Sequence, residues 1–328
     1  MVVRLKKDKM ATKTNNKPNQ KDYSFDLDKV FACMVSVQSN IPKDAFTAPV
    51  LGTERGGNGI VIKDGGIVLT IGYLVTEAET IWITDHTGTA VQGDVLGYDQ
   101  ESGLGLIQAL GTLNAEVVPI GQSSSLKEAD KVLVAGFGGQ RNCISAEVIA
   151  IREFAGYWEY LLDDAIFTSP AHPNWGGAGL IGVNGELVGV GSLFIQHETV
   201  GDEVVDGNMV VPIDLLEPII DDLLTMGRPN KKARPWLGLF GAEADGAIVV
   251  AALTEGGPAH DADVQVGDIV RAVAENEIDS LAELFRNIWS LGPAGIEVPL
   301  VLERDGDIID VSILSVARSD MLKGPKLH

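Results

Sequence analysis

The sequence contains few of the residues on which small secreted proteins and membrane proteins depend. Two cysteines, Cys33 and Cys143, occur in 328 residues, so a disulfide framework is excluded and two free thiols are favoured over a single bridge. No apolar run reaches the roughly 20 residues of a membrane-spanning helix. No Cys and His residues have the spacing of metal ligands. We therefore expect no membrane span, no metal and no cofactor.

Basic residues are scarce relative to acidic ones. The chain has 25 Lys and Arg against 46 Asp and Glu, which gives a net charge of -21. Because such a protein repels phosphate groups, nucleic acids are not expected as partners. The Lys-rich segment 1–25 has no periodicity and is predicted to be a disordered tail. No apolar segment follows its basic residues, as a secretory signal would require, and this predicts a cytoplasmic protein.

Glycine, by contrast, is abundant, and it separates short apolar runs. The chain has 38 glycines and a hydrophobic content of 45%. Up to residue 211 these runs recur about every 8–12 residues, which indicates a β-barrel or a β-sandwich. Helical spacing of apolar residues over Pro212–Met226, with Asp214 as a cap and Gly227 at the end, predicts a helix. The proline-flanked basic segment 228–235 is predicted to be a linker.

A second, smaller unit follows this linker. Strand patterns begin at Trp236 and Gly246, and an Asp-Gly turn at Asp305 closes a hairpin. Ser280 and Glu283 have the spacing of a capping box at the start of a helix. The sequence therefore predicts a unit of short strands with at least one helix.

Motifs in both parts are similar to those of the HtrA/DegP family. They lie at Leu69–Val75, Asp99–Ile107, Met209–Leu215, Arg234–Leu239, Glu255–Ala259 and Val266–Val270. The resemblance covers residues 26–316 and implies a mainly β protein. It implies a chymotrypsin-like double β-barrel over 26–227, the linker 228–235, an α+β PDZ domain over 236–318 and a C-terminal tail over 319–328.

The resemblance also implies where the catalytic triad of the family would lie. The histidine position falls on Tyr73, the aspartate position on Gly103 and the serine position on Gly176. A tyrosine with an ordinary pKa of about 10 is no base at neutral pH, and glycine offers no nucleophile. The remnant of an oxyanion loop would comprise Asn174, Trp175, Gly176 and Gly177. The sequence therefore predicts a catalytically inactive homologue of a serine endopeptidase.

A peptide-binding site in the PDZ domain is a further implication of the resemblance. Its residues would be Arg234, Trp236, Leu237, Gly238 and Leu239. Backbone N–H groups of this loop would bind the carboxylate of a protein or peptide C-terminus, and the peptide would add as a strand. The implied role is a binding scaffold or accessory subunit, assembled as a homotrimer.

Two alternative functions stay open at this point. One is an active endopeptidase with a rearranged site, for which Ser169 and His172 are the candidates. The other is a purely structural subunit of an oligomer or larger complex. The aromatic cluster Tyr157–Tyr160 is interpreted as packing in the barrel core, with a contact surface for a partner as the alternative.

Overall fold

The computed structural model describes residues 16–198, 204–244 and 246–323. These residues form two closed six-stranded barrels, followed by a third sheet of six strands. The mainly β fold class predicted from the sequence is confirmed. Residues 1–15 and 324–328, which belong to the two predicted tails, lie outside the described residues.

The first barrel has the strand order β1-β2-β3-β6-β5-β4. Its strands are β1 (Met34–Asn40), β2 (Glu54–Lys63), β3 (Ile67–Ile71), β4 (Thr80–Thr84), β5 (Ala90–Tyr98) and β6 (Leu104–Ala109). Two short helices accompany them, α1 (Leu27–Ala32) and α2 (Ala48–Leu51). All five residues of β3 are buried, and β3 pairs with β2 and β6. A 3-10 turn, Gly72–Leu74, follows β3 and directs Tyr73 towards the second barrel.

The second barrel has the order β10-β11-β12-β9-β8-β7. Its strands are β7 (Lys131–Ala135), β8 (Cys143–Gly156), β9 (Tyr160–Ser169), β10 (Gly179–Ile181), β11 (Leu187–Glu198) and β12 (Val204–Pro212). The strands β8 and β9 pair from Glu147↔Ser169 to Gly156↔Tyr160 and form a long hairpin. The tip of this hairpin, residues 157–159, reaches the third sheet.

Residues 16–25 are ordered, which corrects the predicted disorder for this part of the tail. The Lys17 ammonium donates to the Arg141 carbonyl over 2.5 Å, and the hydroxyls of Tyr23 and Ser145 are 2.8 Å apart. Tyr23 and Phe25 pack against the barrel core. Their apolar surface outweighs the polar composition that suggested disorder.

The helix predicted over Pro212–Met226 is shorter in the structure. Ile213–Leu215 form a 3-10 turn, and only α3 (Ile220–Met226) is α-helical. The Asp214 carboxylate caps no turn of that helix, because it accepts hydrogen bonds from the N–H groups of Ser123 and Ser124 at 2.7 and 2.9 Å. These bonds lower the pKa of Asp214 even though burial opposes them.

The third sheet and its helices form the unit after the linker. Its strands are β13 (Leu239–Ala244), β14 (Ala247–Leu253), β15 (Ile269–Val273), β16 (Asn276–Glu277), β17 (Glu297–Arg304) and β18 (Asp307–Leu314). The helices are α4 (Pro258–Asp261) and α5 (Leu281–Ser290). Ser280 caps α5 by accepting from the Glu283 N–H at 3.2 Å. Leu284, Phe285 and Ile288 of α5 are buried against the sheet. The helix lies beside β13 and beside the strands β8 and β9 of the long hairpin.

Both cysteines are buried and unpaired in the structure. Burial raises the pKa of Cys33 and of Cys143 to about 12, so both thiols stay protonated. Among the described residues, no helix is long and apolar enough to cross a membrane.

Candidate functional site

A cleft of about 580 Å³ separates the two barrels. Residues from both barrels line it, among them Ser36, Asn58, Tyr73, Trp175 and Gly176. It therefore lies where the sequence comparison placed the histidine and serine positions of a triad.

Tyr73 and Gly176 face one another across this cleft. A Cβ atom at Gly176 would lie 2.7 Å from the Tyr73 hydroxyl. That hydroxyl donates to the Ser192 carbonyl at 2.9 Å, and burial raises the pKa of Tyr73 far above its usual value. Tyr73 is therefore neutral, and its hydroxyl occupies the space that a side chain at position 176 would need.

Gly103 lies beneath this pair, next to the turn that carries Tyr73. Its carbonyl accepts from the Gly72 N–H at 2.7 Å, and its own N–H donates to Asp99 at 2.8 Å. Its φ of +78° favours glycine, and a Cβ there would lie 3.1 Å from the Tyr160 hydroxyl. The backbone at this position is thus shaped for a residue without a side chain.

The loop 174–177 is held by Asn58 of β2. The Asn58 amide donates to the carbonyls of Asn174 and Gly176 at 2.8 and 3.1 Å, and the Asn58 backbone N–H donates to Gly176 at 2.8 Å. The Gly177 N–H donates to the Gly191 carbonyl at 2.9 Å. The Gly177 N–H is therefore engaged within the fold, and the loop joins the two barrels.

Ser169 and His172 are not brought together as a nucleophile and its base. The Ser169 hydroxyl donates to the Asp206 carbonyl at 3.0 Å. The buried His172 ring lies 2.9 Å from the Asn142 carbonyl, and its Nδ1 accepts from the Asn174 N–H at 3.1 Å. Burial lowers the pKa of His172, so this ring is a neutral structural group.

The loop 236–239 of the third sheet binds a carboxylate in this structure. The Glu159 carboxylate accepts from the N–H groups of Leu237, Gly238 and Leu239, with shortest distances of 3.2, 2.8 and 3.3 Å. Glu159 is only 7% exposed. Burial raises its pKa to about 7, against the lowering effect of these hydrogen bonds and of Arg318.

The other two residues predicted for the peptide site have different contacts. The Arg234 guanidinium pairs with Glu101 at 2.7 Å and lies 4.1 Å above the Trp289 ring. Trp236 is buried, and its ring meets Phe46 edge-on at 5.8 Å. In this structure Arg234 thus joins the unit of the third sheet to the first barrel, and Trp236 packs between them.

Glu159 is a residue of the candidate site that the sequence analysis missed. Its segment, Tyr157–Tyr160, was interpreted as packing in the barrel core. Trp158 and Tyr160 do stack, at 5.6 Å, but Tyr157 leaves the barrel and meets Phe240 of β13 at 6.1 Å. The alternative interpretation, a contact surface, therefore applies to part of the segment, and its partner is another domain of the same chain.

In the described ranges, no group of three His, Cys, Asp or Glu side chains could hold a metal ion.

Two family models match the chain. The model of the trypsin-like peptidase domain matches residues 57–190, and the model of the PDZ domain matches residues 235–314. The first match contains most of the residues that line the cleft, but not Ser36, Gln38 and Gly56, and the second contains the carboxylate-binding loop.

Curated relatives resemble most of the chain. A probable periplasmic serine endoprotease DegP-like from Pseudomonas fluorescens is 27% identical over 76% of this chain and 54% of its own length. The protein of the same name from Chlamydia pneumoniae is 24% identical over 90% of this chain and 61% of its own. The serine protease Do-like HtrA of Bacillus subtilis is 23% identical over 77% of this chain and 62% of its own. The chain thus spans little more than half the length of these relatives.

Solved structures share the fold. An HtrA-type protease, AlgW with a tripeptide, has a TM-score of 0.53 at 16% identity and covers 89% of this chain and 96% of its own. The serine endoprotease from Yersinia pestis has a TM-score of 0.51 at 22% identity and covers 94% of this chain and 99% of its own. At these identities the likeness supports the fold alone.

The names of the relatives correct two predictions. The prediction that the chain is not an enzyme is contradicted, because the relatives are named as serine endoproteases. It rested on Tyr73, Gly103 and Gly176 alone. The predicted cytoplasmic location is contradicted too, because relatives from Pseudomonas, Chlamydia and Haemophilus are named as periplasmic.

Proposed function

Since the chain belongs to the HtrA family, with a trypsin-like peptidase domain and a PDZ domain, we propose that it is a periplasmic protein that captures polypeptides through its PDZ groove. The ligand class is a peptide with a free C-terminal carboxylate, added as a strand beside β13. The proposed binding loop consists of residues 236–239.

One observation carries this proposal: three consecutive N–H groups of the loop converge on a carboxylate. The donors are Leu237, Gly238 and Leu239, and the acceptor is the side chain of Glu159. An N–H group donates more strongly to an ionised acceptor than to a neutral one. The three bonds accordingly lower the pKa of Glu159, although burial raises it by more, so the loop itself favours an anionic end. Gly238 has a φ of +76°, which lets the three N–H groups point in one direction.

We expect the full chain carrying Glu159→Ala, which empties the loop, to bind peptides with a free C-terminal carboxylate. The same peptides with an amidated C-terminus should bind about tenfold or more weakly, because each loses the charged acceptor. Fluorescence anisotropy with a library of labelled peptides measures both affinities. If free-acid and amidated peptides bind equally, or if none binds while the circular dichroism stays native, PDZ capture is wrong.

A second candidate function is hydrolysis of peptide bonds in the cleft, which the names of the relatives favour. Tyr73, Gly103 and Gly176 stay proposed as the triad positions, so a nucleophile must come from elsewhere in the cleft. Ser36 lines this cleft, whereas Ser169 donates to Asp206. We therefore assign Ser36 as the candidate serine.

If the chain hydrolyses peptide bonds in the cleft, the wild-type protein should cleave unfolded casein and react with a fluorophosphonate probe. Peptide mapping should locate the label on Ser36, and Ser36→Ala should abolish labelling, since only an activated hydroxyl reacts. Ser169→Ala, a matched change outside the cleft, should leave the labelling intact. Absence of both cleavage and labelling would exclude hydrolysis. The homotrimer is a further proposal, which the mass in solution tests.

A further inference from the structure

The β8–β9 hairpin lies beside both α5 and β13, the two elements between which a peptide would bind. Glu159 reaches the loop 236–239, and two residues earlier the Tyr157 carbonyl accepts from the Gly241 N–H of β13 at 3.2 Å. A peptide added beside β13 would make both types of contact, a carboxylate at the loop and a backbone bond to the strand. Tyr157 and Glu159 therefore occupy the two contact points that such a peptide would use.

Contacts on both sides of the groove hold the hairpin in place. Arg286 of α5 pairs with Glu153 of β8 at 2.5 Å and also with Asp163 of β9. Ala155 and Leu161, which flank the tip, pack against the core of the PDZ domain. The hairpin is therefore clamped from the helix side as well as from the strand side.

The backbone at the tip is shaped to present the carboxylate. Glu159 has a φ of +59°, which non-glycine residues seldom adopt. Such a conformation persists where the surroundings over-determine it, and it is enriched at functional sites. Here it directs the side chain away from the barrel and into the loop of the PDZ domain.

We propose that the β8–β9 hairpin is an internal ligand of the PDZ domain, with the Glu159 side chain in place of a terminal carboxylate, and that an external peptide binds only after the hairpin leaves the groove. This inference rests on the proposed function. One set of three N–H groups holds a single carboxylate, so the two ligands exclude one another. The hairpin also belongs to the barrel whose loop 174–177 lines the cleft, so peptide capture and the cleft share one structural element.

The test compares three full-length proteins for binding of one free-acid peptide by fluorescence anisotropy. These are the wild type, Glu159→Ala and Asp164→Ala. Asp164 is an exposed acid on β9 and serves as the control for loss of a negative charge from the same hairpin. We expect Glu159→Ala to bind the peptide about tenfold or more tightly than the wild type. In this variant the loop 236–239 is free in a larger fraction of the molecules. Asp164→Ala should bind like the wild type.

Each remaining outcome decides a separate point. Equal binding by the wild type and Glu159→Ala overturns the internal ligand while peptide capture stands. If neither protein binds, peptide capture fails, and amide hydrogen exchange then decides on the hairpin. Faster exchange of Leu237, Gly238 and Leu239 in Glu159→Ala than in Asp164→Ala supports occupancy of the loop by Glu159. Unchanged exchange overturns it.

Discussion

Peptide binding to the wild-type chain is expected to tighten by about 50-fold between pH 5 and pH 7.5, because displacement of Glu159 releases a proton. Burial raises the pKa of Glu159 to about 7 in the groove, whereas the ordinary pKa of glutamate is 4.5. The contact between Glu159 and the loop 236–239 is therefore most stable below pH 4.5, and it weakens as the pH rises through about 7. The C-terminal carboxylate of the peptide is ionised throughout this range.

Several charged groups face Glu159 and set the size of this effect. Arg318, from the C-terminal 3-10 turn, lowers the pKa of Glu159 by attraction, and burial exceeds that contribution. Other titratable and charged residues line the same pocket: Glu101, Tyr160, Arg228, Lys231, Lys232 and Arg234. Glu101 is paired with Lys231 and Arg234 at 3.0 and 2.7 Å. Glu159 is thus the carboxyl of this pocket whose pKa burial raises towards neutrality.

Anisotropy titrations at constant ionic strength from pH 5 to pH 8 measure how the peptide affinity changes with pH. The matched control is Glu159→Gln, which keeps the shape of the side chain, cannot titrate and should give a flat profile. If the affinity of Glu159→Gln depends on pH as strongly as that of the wild type, the proton comes from another group and the prediction is contradicted. The peptide should contain no His, Asp or Glu.

The fold was predictable because its signals are local. Short apolar runs with turns between them, and motifs such as Leu69–Val75 and Glu255–Ala259, each need only neighbouring residues to be recognised. The capping of α5 by Ser280 is of the same kind, since the donor and acceptor lie three residues apart. Such features survive as patterns in one sequence.

The candidate site was predictable only in part, because its contacts join distant segments. Glu159 lies 78 residues before Leu237, and the residues around Glu159 do not predict a contact with another domain. The same holds for Asp214, whose carboxylate binds Ser123 and not the turn beside it. Arg234 was assigned to the peptide site from its motif, yet its charge is paired with Glu101. Composition and spacing do not specify how two domains dock, so these contacts appear only in the folded structure.

Gly177→Ala is expected to reduce the free energy of unfolding of the barrels by about 4 kcal/mol or to prevent folding, since it combines backbone strain with a steric clash. Gly177 has a φ of +73°. A Cβ there would lie 2.0 Å from the Asn58 carbonyl and 2.7 Å from the Thr70 hydroxyl, which donates to that carbonyl. Neither atom can yield, because both belong to paired strands of the first barrel. The substitution would therefore push the two barrels apart at the cleft.

Gly139→Ala separates the cost of the backbone strain from the cost of the steric clash. Gly139 has a similar φ of +69°, but a Cβ there would meet nothing within 4 Å. It should reduce the free energy of unfolding by only about 1 kcal/mol, the cost of the backbone conformation. Urea unfolding followed by tryptophan fluorescence measures both variants, and insolubility of Gly177→Ala beside a soluble Gly139→Ala agrees with the prediction. Equal losses would mean that the Gly177 contact yields easily. Glycine would then be needed at position 177 only for its positive φ. The stability of the barrels would not depend on the close approach of this loop to Asn58.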